Sequence, residues 1–318
     1  MARVLVTGVN GQIGTYLAES LLAEGHEVLG VGSKPEPAIV AGVRVVDVPL
    51  TATTVGALLQ ACGPLDAIVH LAGRSSVARS WGAPLETYEI HGHTTAALVA
   101  AIVESKSNVA FVHASSAEIF GRNESPILSE TTPIAPVSPY GASKAAAHLS
   151  VAVGRDGYAQ RMSNLIYFPG ESERRAPHFV FRKITRGIAA VHLGRERTLT
   201  LGNTSFVRDF CHARDFAAAA KLLAVGNGGP AGPPGDYVVA TGVGHPIYDV
   251  AVVACELFGL DPSKIVRTDP ALYRGTDIPS LVGDSTRLRA IGWAPTMQFR
   301  ELVETITKHD LAQMRTEE

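Results

Sequence analysis

The chain has 318 residues, of which 46% are hydrophobic and 18% charged, with a formal net charge of −2. That length and apolar content suffice for two domains or one large α/β domain, and they exclude general disorder. The near-neutral balance excludes an electrostatic case for nucleic acid or an anionic membrane, and the arginine pair after Glu173 (Arg174, Arg175) is too small a cluster for a polyanion.

The N-terminus runs straight into an apolar strand, Arg3–Thr7, without the features of a secretory signal. No apolar run approaches the ~18 residues of a membrane span. Cys62, Cys211 and Cys255 are far apart and lack metal-ligand spacing, so they read as reduced thiols. A soluble, cytoplasmic protein is expected.

After the first strand, "TGVNGQIG" places Gly8, Gly11 and Gly14 ahead of a helix over Gln12–Glu24. Glycines between a strand and a helix N-terminus permit a tight turn and let a pyrophosphate approach the backbone. Gln12 and Ile13 belong to the same candidate cofactor turn. The second strand, Glu27–Val31, ends in "GVGSKPE" with no acid to grip the 2′-hydroxyl of NAD. Lys34 leans toward NADP, and the choice between NAD and NADP stays open. A third strand is expected over Val43–Val48, and Asp47 at its end is a candidate adenine contact or a loop cap.

A helix over Thr53–Ala61 and a strand over Asp66–Leu71 follow, with Leu71 and Ala72 as further candidate cofactor contacts. The stretch Leu85–Ser105 reads as one helix. It contains "HGH" (His91–His93), which has no third ligand in view and reads as a helix-face detail rather than a metal site. The strand Val109–His113 leads into "ASSAEIFG", bringing Ser115, Ser116 and Glu118 to a strand exit. Strands alternating with helices, each strand apolar throughout, predict a doubly wound parallel sheet of Rossmann type.

A helix over Tyr140–Val153 opens with Tyr140 and Lys144 four residues apart, on one face. Lysine there can lower the phenol pKa and hold the nicotinamide ribose, letting Tyr140 act as a base. A hydroxyl of Ser115 or Ser116 can bond the same substrate oxygen. Beyond residue 168 the pattern loosens into a helix, a short strand "RTLTLGN", a Gly/Pro loop (226–236), a strand "DYVVATG" and two more helices. The division expected is a dinucleotide-binding domain over 1–168 and a smaller substrate lobe over 169–318 that returns in places to the main sheet.

The stretches "HLAGRSSVARSW", "SSAEIFG", "SPYGASK", "HFVFRKIT", "LGNTSFVRDF" and "DIPSLVGDSTRLRAIGWAP" resemble the extended short-chain dehydrogenase/reductases over nearly the whole chain. The likeness is to the branch with GDP-mannose 4,6-dehydratases and GDP-4-keto-6-deoxymannose reductases. It implies a catalytic group of Ser116, Tyr140 and Lys144 with Glu118 beside them. It also implies substrate contacts from Ser76, Ser115, Lys183, Arg208 and Arg274, the last three on the nucleotide diphosphate, where basic side chains suit phosphate.

Two departures stand out. Phe168, Pro169 and Gly170 replace polar substrate contacts after the sixth strand, and the arm after the second strand is short, as in reductases. The expected activity is dehydration of a nucleotide sugar (GDP-mannose-like) or a related nucleoside, through a transient ketone made by Tyr140 and an elimination assisted by Glu118. The alternatives are NADPH-dependent reduction of a 4-keto-6-deoxy sugar, epimerisation, and, from another class, a non-catalytic nucleotide sensor that would not need the Tyr140–Lys144 pair. Relatives commonly pair through Rossmann helices, which implies a homodimer.

Overall fold

In the computed structural model, which describes residues 1–32, 39–226, 231–272 and 278–317, the first half of the chain alternates strand and helix. It comprises β1 (Arg3–Thr7), α1 (Gln12–Ala23), β2 (Glu27–Val31), β3 (Arg44–Val45), α2 (Val55–Cys62) and β4 (Ala67–His70). Next come α3 (Val77–Ser80), α4 (Pro84–Tyr88), α5 (Thr94–Ser105), β5 (Ala110–Ser116), α6 (Pro139–Tyr158) and β6 (Met162–Tyr167). The second half holds β7 (Gly170–Glu171), α7 (Val180–His192), β8 (Leu199–Leu201), β9 (Val207–Arg208), β10 (Cys211–His212), α8 (Ala213–Ala224) and β11 (Asp236–Val239). It closes with β12 (His245–Pro246), α9 (Ile247–Glu256), α10 (Pro262–Ile265), β13 (Val266–Thr268), β14 (Ser280–Leu281), α11 (Thr286–Arg289) and α12 (Phe299–Thr316).

Seven strands form one parallel sheet in the order β3-β2-β1-β4-β5-β6-β11. The winding direction reverses between β1 and β4, and in such sheets ligands bind outside the carboxyl ends of the strands at that reversal. Register keeps those ends level: Thr7 pairs with Val31 and His70, and His70 with His113. This is the doubly wound Rossmann architecture expected.

Side-chain alternation along each strand divides the core. Val4, Val6, Val69 and Val112 face α1 and α8, where Leu17, Leu21, Phe216 and Leu223 meet them. Leu5, Ile68 and Phe111 face the other way, onto Leu58 of α2, Leu98 and Ile102 of α5 and Val151 of α6. Each such buried side chain contributes about 1.5–3 kcal/mol relative to exposure. A separate cluster joins α7 (Phe181, Ile184, Ile188), α9 (Val250, Ala254) and α12 (Leu302, Ile306), with the helical spacing of one apolar face per helix.

Three elements differ from the sequence expectation. The third strand is only Arg44–Val45. The expected helix Leu85–Ser105 is continuous but widens into a π turn over Glu89–His93. Strand β5 runs to Ser116, so both serines lie in the sheet and not after it. "DYVVATG" becomes β11, the edge strand beside β6. Among the described residues no helix is long and apolar enough to cross a membrane.

Candidate active site

At the strand ends lies a cavity of about 650 Å³. Its floor is the glycine turn. Gly8 has φ +70°, and a Cβ on it would stand 2.9 Å from the backbone of Ala72. A Cβ on Gly14 would meet the carbonyl oxygen of Gly8 at 2.3 Å. The turn is closed by Gly11 N–H donating to Gly8 O at 2.9 Å, and Thr7 Oγ1 ties it to the next strand by accepting from Ala72 N–H at 3.0 Å. A turn this tight, opening onto the N-terminus of a 12-residue helix, fits a dinucleotide pyrophosphate.

Of the expected cofactor contacts, Gly8, Gly11, Gln12, Ile13, Gly14 and Leu71 stand on the cavity wall. Ala72 lies just behind, bonded to Thr7. Asp47 is exposed on the loop after β3. Lys34 and Arg274 lie outside the described residues.

Helix α6 sets the chemical end of the cavity. Ser138 caps it by accepting from Gly141 N–H at 3.0 Å, and Pro139 occupies the first turn. Tyr140, Lys144 and His148 then fall on one buried face, turned toward β5. The Tyr140 phenol is hydrogen-bonded to Ser116. Lys144 Nζ donates to Ala114 O at 2.7 Å. Glu118 is half-buried in the short turn after β5, and its N–H donates to Ser116 Oγ at 3.3 Å. Ser116, Glu118, Tyr140 and Lys144 therefore share one wall, together with Ser76 and Ser115. Ser115 Oγ is bonded to His148 Nδ1 at 3.0 Å, and His148 Nε2 faces Asp236 at 3.5 Å.

Burial dominates the electrostatics. It pushes the Tyr140 phenol up to about 12; the Ser116 hydrogen bond pulls it back, the Glu118 charge raises it further and Arg175 lowers it. Burial also pulls the Lys144 ammonium down to about 8. In the ligand-free protein Tyr140 is thus held as a neutral phenol, a state opposite to the lowered pKa expected from the Tyr–Lys spacing. The desolvation of a fully buried phenol outweighs the remote cation.

Lys183 and Arg208 also reach the cavity, on its far side. Lys183 Nζ donates to Thr200 O at 2.8 Å, and Arg208 Nη1 donates to Val207 O at 2.8 Å. Phe168, Pro169 and Gly170 line the same space and make its β6 side apolar.

Three residues on the wall escaped sequence reasoning. His91, carried in by the π turn, sets its ring edge-on to Tyr140 at 5.3 Å and bonds Arg74 O through Nε2 at 3.0 Å. Burial holds it neutral, with its pKa down to about 2. Arg175 and Glu171 come from the segment after β6. Burial lifts the Glu171 carboxyl to about 7, against the opposing pull of Arg175 and Arg182. For all three, nothing in the local sequence marks burial on the cavity wall.

Comparison with known proteins adds to this geometry. The family model described as GDP-mannose 4,6 dehydratase matches residues 5–306. GDP-mannose 4,6 dehydratase 2 of Arabidopsis thaliana is 33% identical over 328 residues, covering 96% of this chain and 86% of the relative. Among solved structures, UDP-glucose 4-epimerase of Thermus thermophilus in complex with NAD superimposes with TM-score 0.83 at 28% identity, covering 97% of this chain and 98% of that one. A double mutant of the dTDP-glucose 4,6-dehydratase of Streptomyces venezuelae, with NAD bound, gives TM-score 0.81 at 22% identity and covers 96% of both chains. At that identity the likeness speaks for the fold alone.

Proposed function

The chain belongs to the GDP-mannose 4,6-dehydratase family, and from that premise we propose that Ser116, Glu118, Tyr140 and Lys144 dehydrate a GDP-mannose-like nucleotide sugar in the cavity. It is a nucleotide-sugar dehydratase, a lyase of the extended short-chain dehydrogenase/reductase type, and it works with a nicotinamide dinucleotide. The observation that carries the residue assignment is Glu118 on the same wall as Ser116, Tyr140 and Lys144. Oxidation of an alcohol needs one base; elimination needs a second group to move another proton.

The bound dinucleotide supplies reversible two-electron oxidation and, in its oxidised form, a positive charge. Gly8, Gly11 and Gln12 would hold its pyrophosphate, and Lys144, which donates to Ala114 O, would hold the ribose. Ser116 and Tyr140 bind one sugar hydroxyl, and Tyr140 accepts its proton as the carbon becomes a ketone. That ketone acidifies the adjacent C–H. Glu118 takes the adjacent proton and delivers it to the leaving hydroxyl, which departs as water. Tyr140 would return its own proton to carbon as the alkene is reduced, so that the reaction consumes no net oxidant or reductant. Ser76 and Ser115 contact the sugar, and Lys183, Arg208 and Arg274 hold the diphosphate.

The same reading assigns residues 1–168 to the dinucleotide and 169–318 to the nucleotide sugar, with β11 and α8 returning to the sheet. Leu149, Val153 and Tyr158 stand exposed on α6, and a second copy covering them makes a homodimer in the cytoplasm. Light scattering tests the dimer.

The decisive experiment incubates purified protein with a panel of nucleotide sugars and no added reductant. Loss of the mass of one water, without net change in nicotinamide absorbance, is the expected result. Turnover that requires stoichiometric NADPH makes the protein a reductase instead. In Glu118→Gln, elimination is lost while reduction of the dinucleotide by substrate persists; unchanged turnover removes Glu118 from the mechanism.

A further inference from the structure

Helix α6 turns a third buried polar side chain toward β5, besides Tyr140 and Lys144, and no proton of the proposed reaction passes through it. His148 is 5% exposed and sits one turn beyond Lys144. Its Nδ1 lies 3.0 Å from the Oγ of Ser115, a residue of the cavity wall. Its Nε2 faces Oδ2 of Asp236, the opening residue of β11, at 3.5 Å. A leucine at this position would fill the space without the cost of burying a polar ring.

The surroundings fix which ring nitrogen carries the proton. Asp236 Oδ1 accepts from Arg155 Nη1 at 2.8 Å and from Asn164 Nδ2 at 2.9 Å. Asn164 Nδ2 also donates to His148 O at 3.1 Å, and Asn164 Oδ1 takes the Nδ1 proton of His113 at 2.9 Å. Burial pushes the Asp236 carboxyl up, but its bonds to His148 and Arg155 outweigh that and hold it ionised, below the ordinary carboxylate range. An ionised carboxylate only accepts, so it draws the ring proton to Nε2. Arg155 already meets the carboxylate's charge, so a neutral ring suffices. A neutral ring protonated on Nε2 has a bare Nδ1, which takes the Ser115 hydroxyl proton.

This sets the polarity of the cavity wall. With its one proton turned to His148, Ser115 has only lone pairs to offer a ligand. We infer that His148, oriented by Asp236, is a positioning residue that makes Ser115 a hydrogen-bond acceptor toward the cavity, so that Ser115 holds a sugar hydroxyl by its proton. A carbonyl or ether oxygen in the same place would meet lone pairs and be repelled. The inference rests on the sugar contact assigned to Ser115 above.

Turnover of GDP-mannose by dinucleotide-loaded protein, followed as loss of the mass of one water, tests the coupling of the two side chains. Ser115→Ala removes the acceptor and should lower kcat/KM about tenfold. His148→Leu keeps the hydroxyl but frees its proton to turn into the cavity, and should lower kcat/KM about three- to tenfold. Because His148 acts through Ser115, the double variant should be no slower than Ser115→Ala alone. In His148→Asn the side-chain oxygen can stand where Nδ1 stood, and the rate should stay within about twofold of wild type. Dinucleotide affinity, for NAD⁺ or NADP⁺, should stay within about twofold in every variant. Losses that multiply in the double variant, an unchanged rate in His148→Leu, or a parallel fall in dinucleotide affinity overturn the inference. Nitrogen-15 NMR of the wild-type imidazole, assigned by its disappearance in His148→Asn, needs no activity. A protonated Nε2 with a bare Nδ1 is expected at neutral pH, and a protonated Nδ1 overturns the inference. Where His148→Leu fails to fold, Ser115→Ala, His148→Asn and the imidazole spectrum still decide it. Wild-type protein that shows the expected tautomer yet turns over neither GDP-mannose nor any other nucleotide sugar would instead sink the functional reading.

Discussion

Replacing Glu171 by glutamine should stabilise the protein, and only at neutral to alkaline pH. Burial raises this carboxyl from 4.5 to about 7 despite Arg175 and Arg182 nearby. The desolvation cost therefore exceeds the attraction to both arginines. In the unfolded chain the group ionises at its ordinary value, so protons are held more tightly by the folded state. The stability this represents is present below pH 4.5 and is lost as pH rises to 7. At about 1.4 kcal/mol per pH unit, ionised Glu171 costs the fold about 3 kcal/mol above pH 7. Glutamine keeps the shape and removes the charge. Arg175, which is part-exposed to the cavity, keeps access to water and so is not stranded as a fully buried cation would be. Urea denaturation of wild type and Glu171→Gln at pH 5 and pH 8 measures the effect. The expected gain is about 2–3 kcal/mol at pH 8, shrinking toward zero at pH 5. An equal effect at both pH values, or a loss at pH 8, refutes the argument that burial outweighs the arginines.

Three further changes probe other links. Gly14→Ala would press a methyl against Gly8 O at 2.3 Å and Val9 Cα at 2.8 Å, both backbone; the turn must shift, and affinity for the nicotinamide dinucleotide, NAD⁺ or NADP⁺, should fall at least tenfold by calorimetry. Asp209 is fully buried and accepts from Thr241 N–H and Gly242 N–H at 2.8 Å each. Asp209→Asn turns a donor toward one of these, and urea midpoints should report about 1–3 kcal/mol lost. For Lys144, burial lowers the ammonium from 10.5 to about 8, so its charge opposes folding below pH 8 and ceases to do so above 10.5. Lys144→Met should abolish turnover yet stabilise the protein at pH 7 by about 2 kcal/mol, after allowing for the lost bond to Ala114 O.

The sheet was legible because parallel strands buried on both faces are continuous apolar runs, and "VLVTG" and "AIVH" cannot sit elsewhere without exposing them. The Tyr140 face was legible for a similar reason: a four-residue spacing in a helix has one geometric meaning. What stayed hidden depends on distant pairings. "ERR" reads as surface charge, yet Arg175 enters the cavity because Arg182 and Asp310, 128 residues apart, clamp its backbone. Glu171 is buried because β7 pairs with β10 far along the chain. His91 required a π turn in what reads as an unbroken helix. Likewise the spacing of Tyr140 and Lys144 fixes their proximity and says nothing of desolvation, which sets the phenol's charge.

Glu171 and Lys144 oppose folding over complementary ranges. The cost of Glu171 grows as pH rises toward 7, and that of Lys144 fades only as pH rises beyond 8. Between pH 7 and 8 both are largely ionised, so the cavity is then at its least stable and most charged. Neither group is needed to fill space, since an amide and a thioether of similar volume can replace them. Both charges line the same cavity, and on the proposed reading Lys144 is kept as the cation for the ribose. On that reading a bound dinucleotide would bring its ribose toward Lys144. The stability withheld from the empty cavity should therefore reappear on binding. At equal free concentration the dinucleotide, NAD⁺ or NADP⁺, should raise the unfolding midpoint of wild type by more than that of Lys144→Met, and equal shifts would mean that Lys144 makes no contact with it.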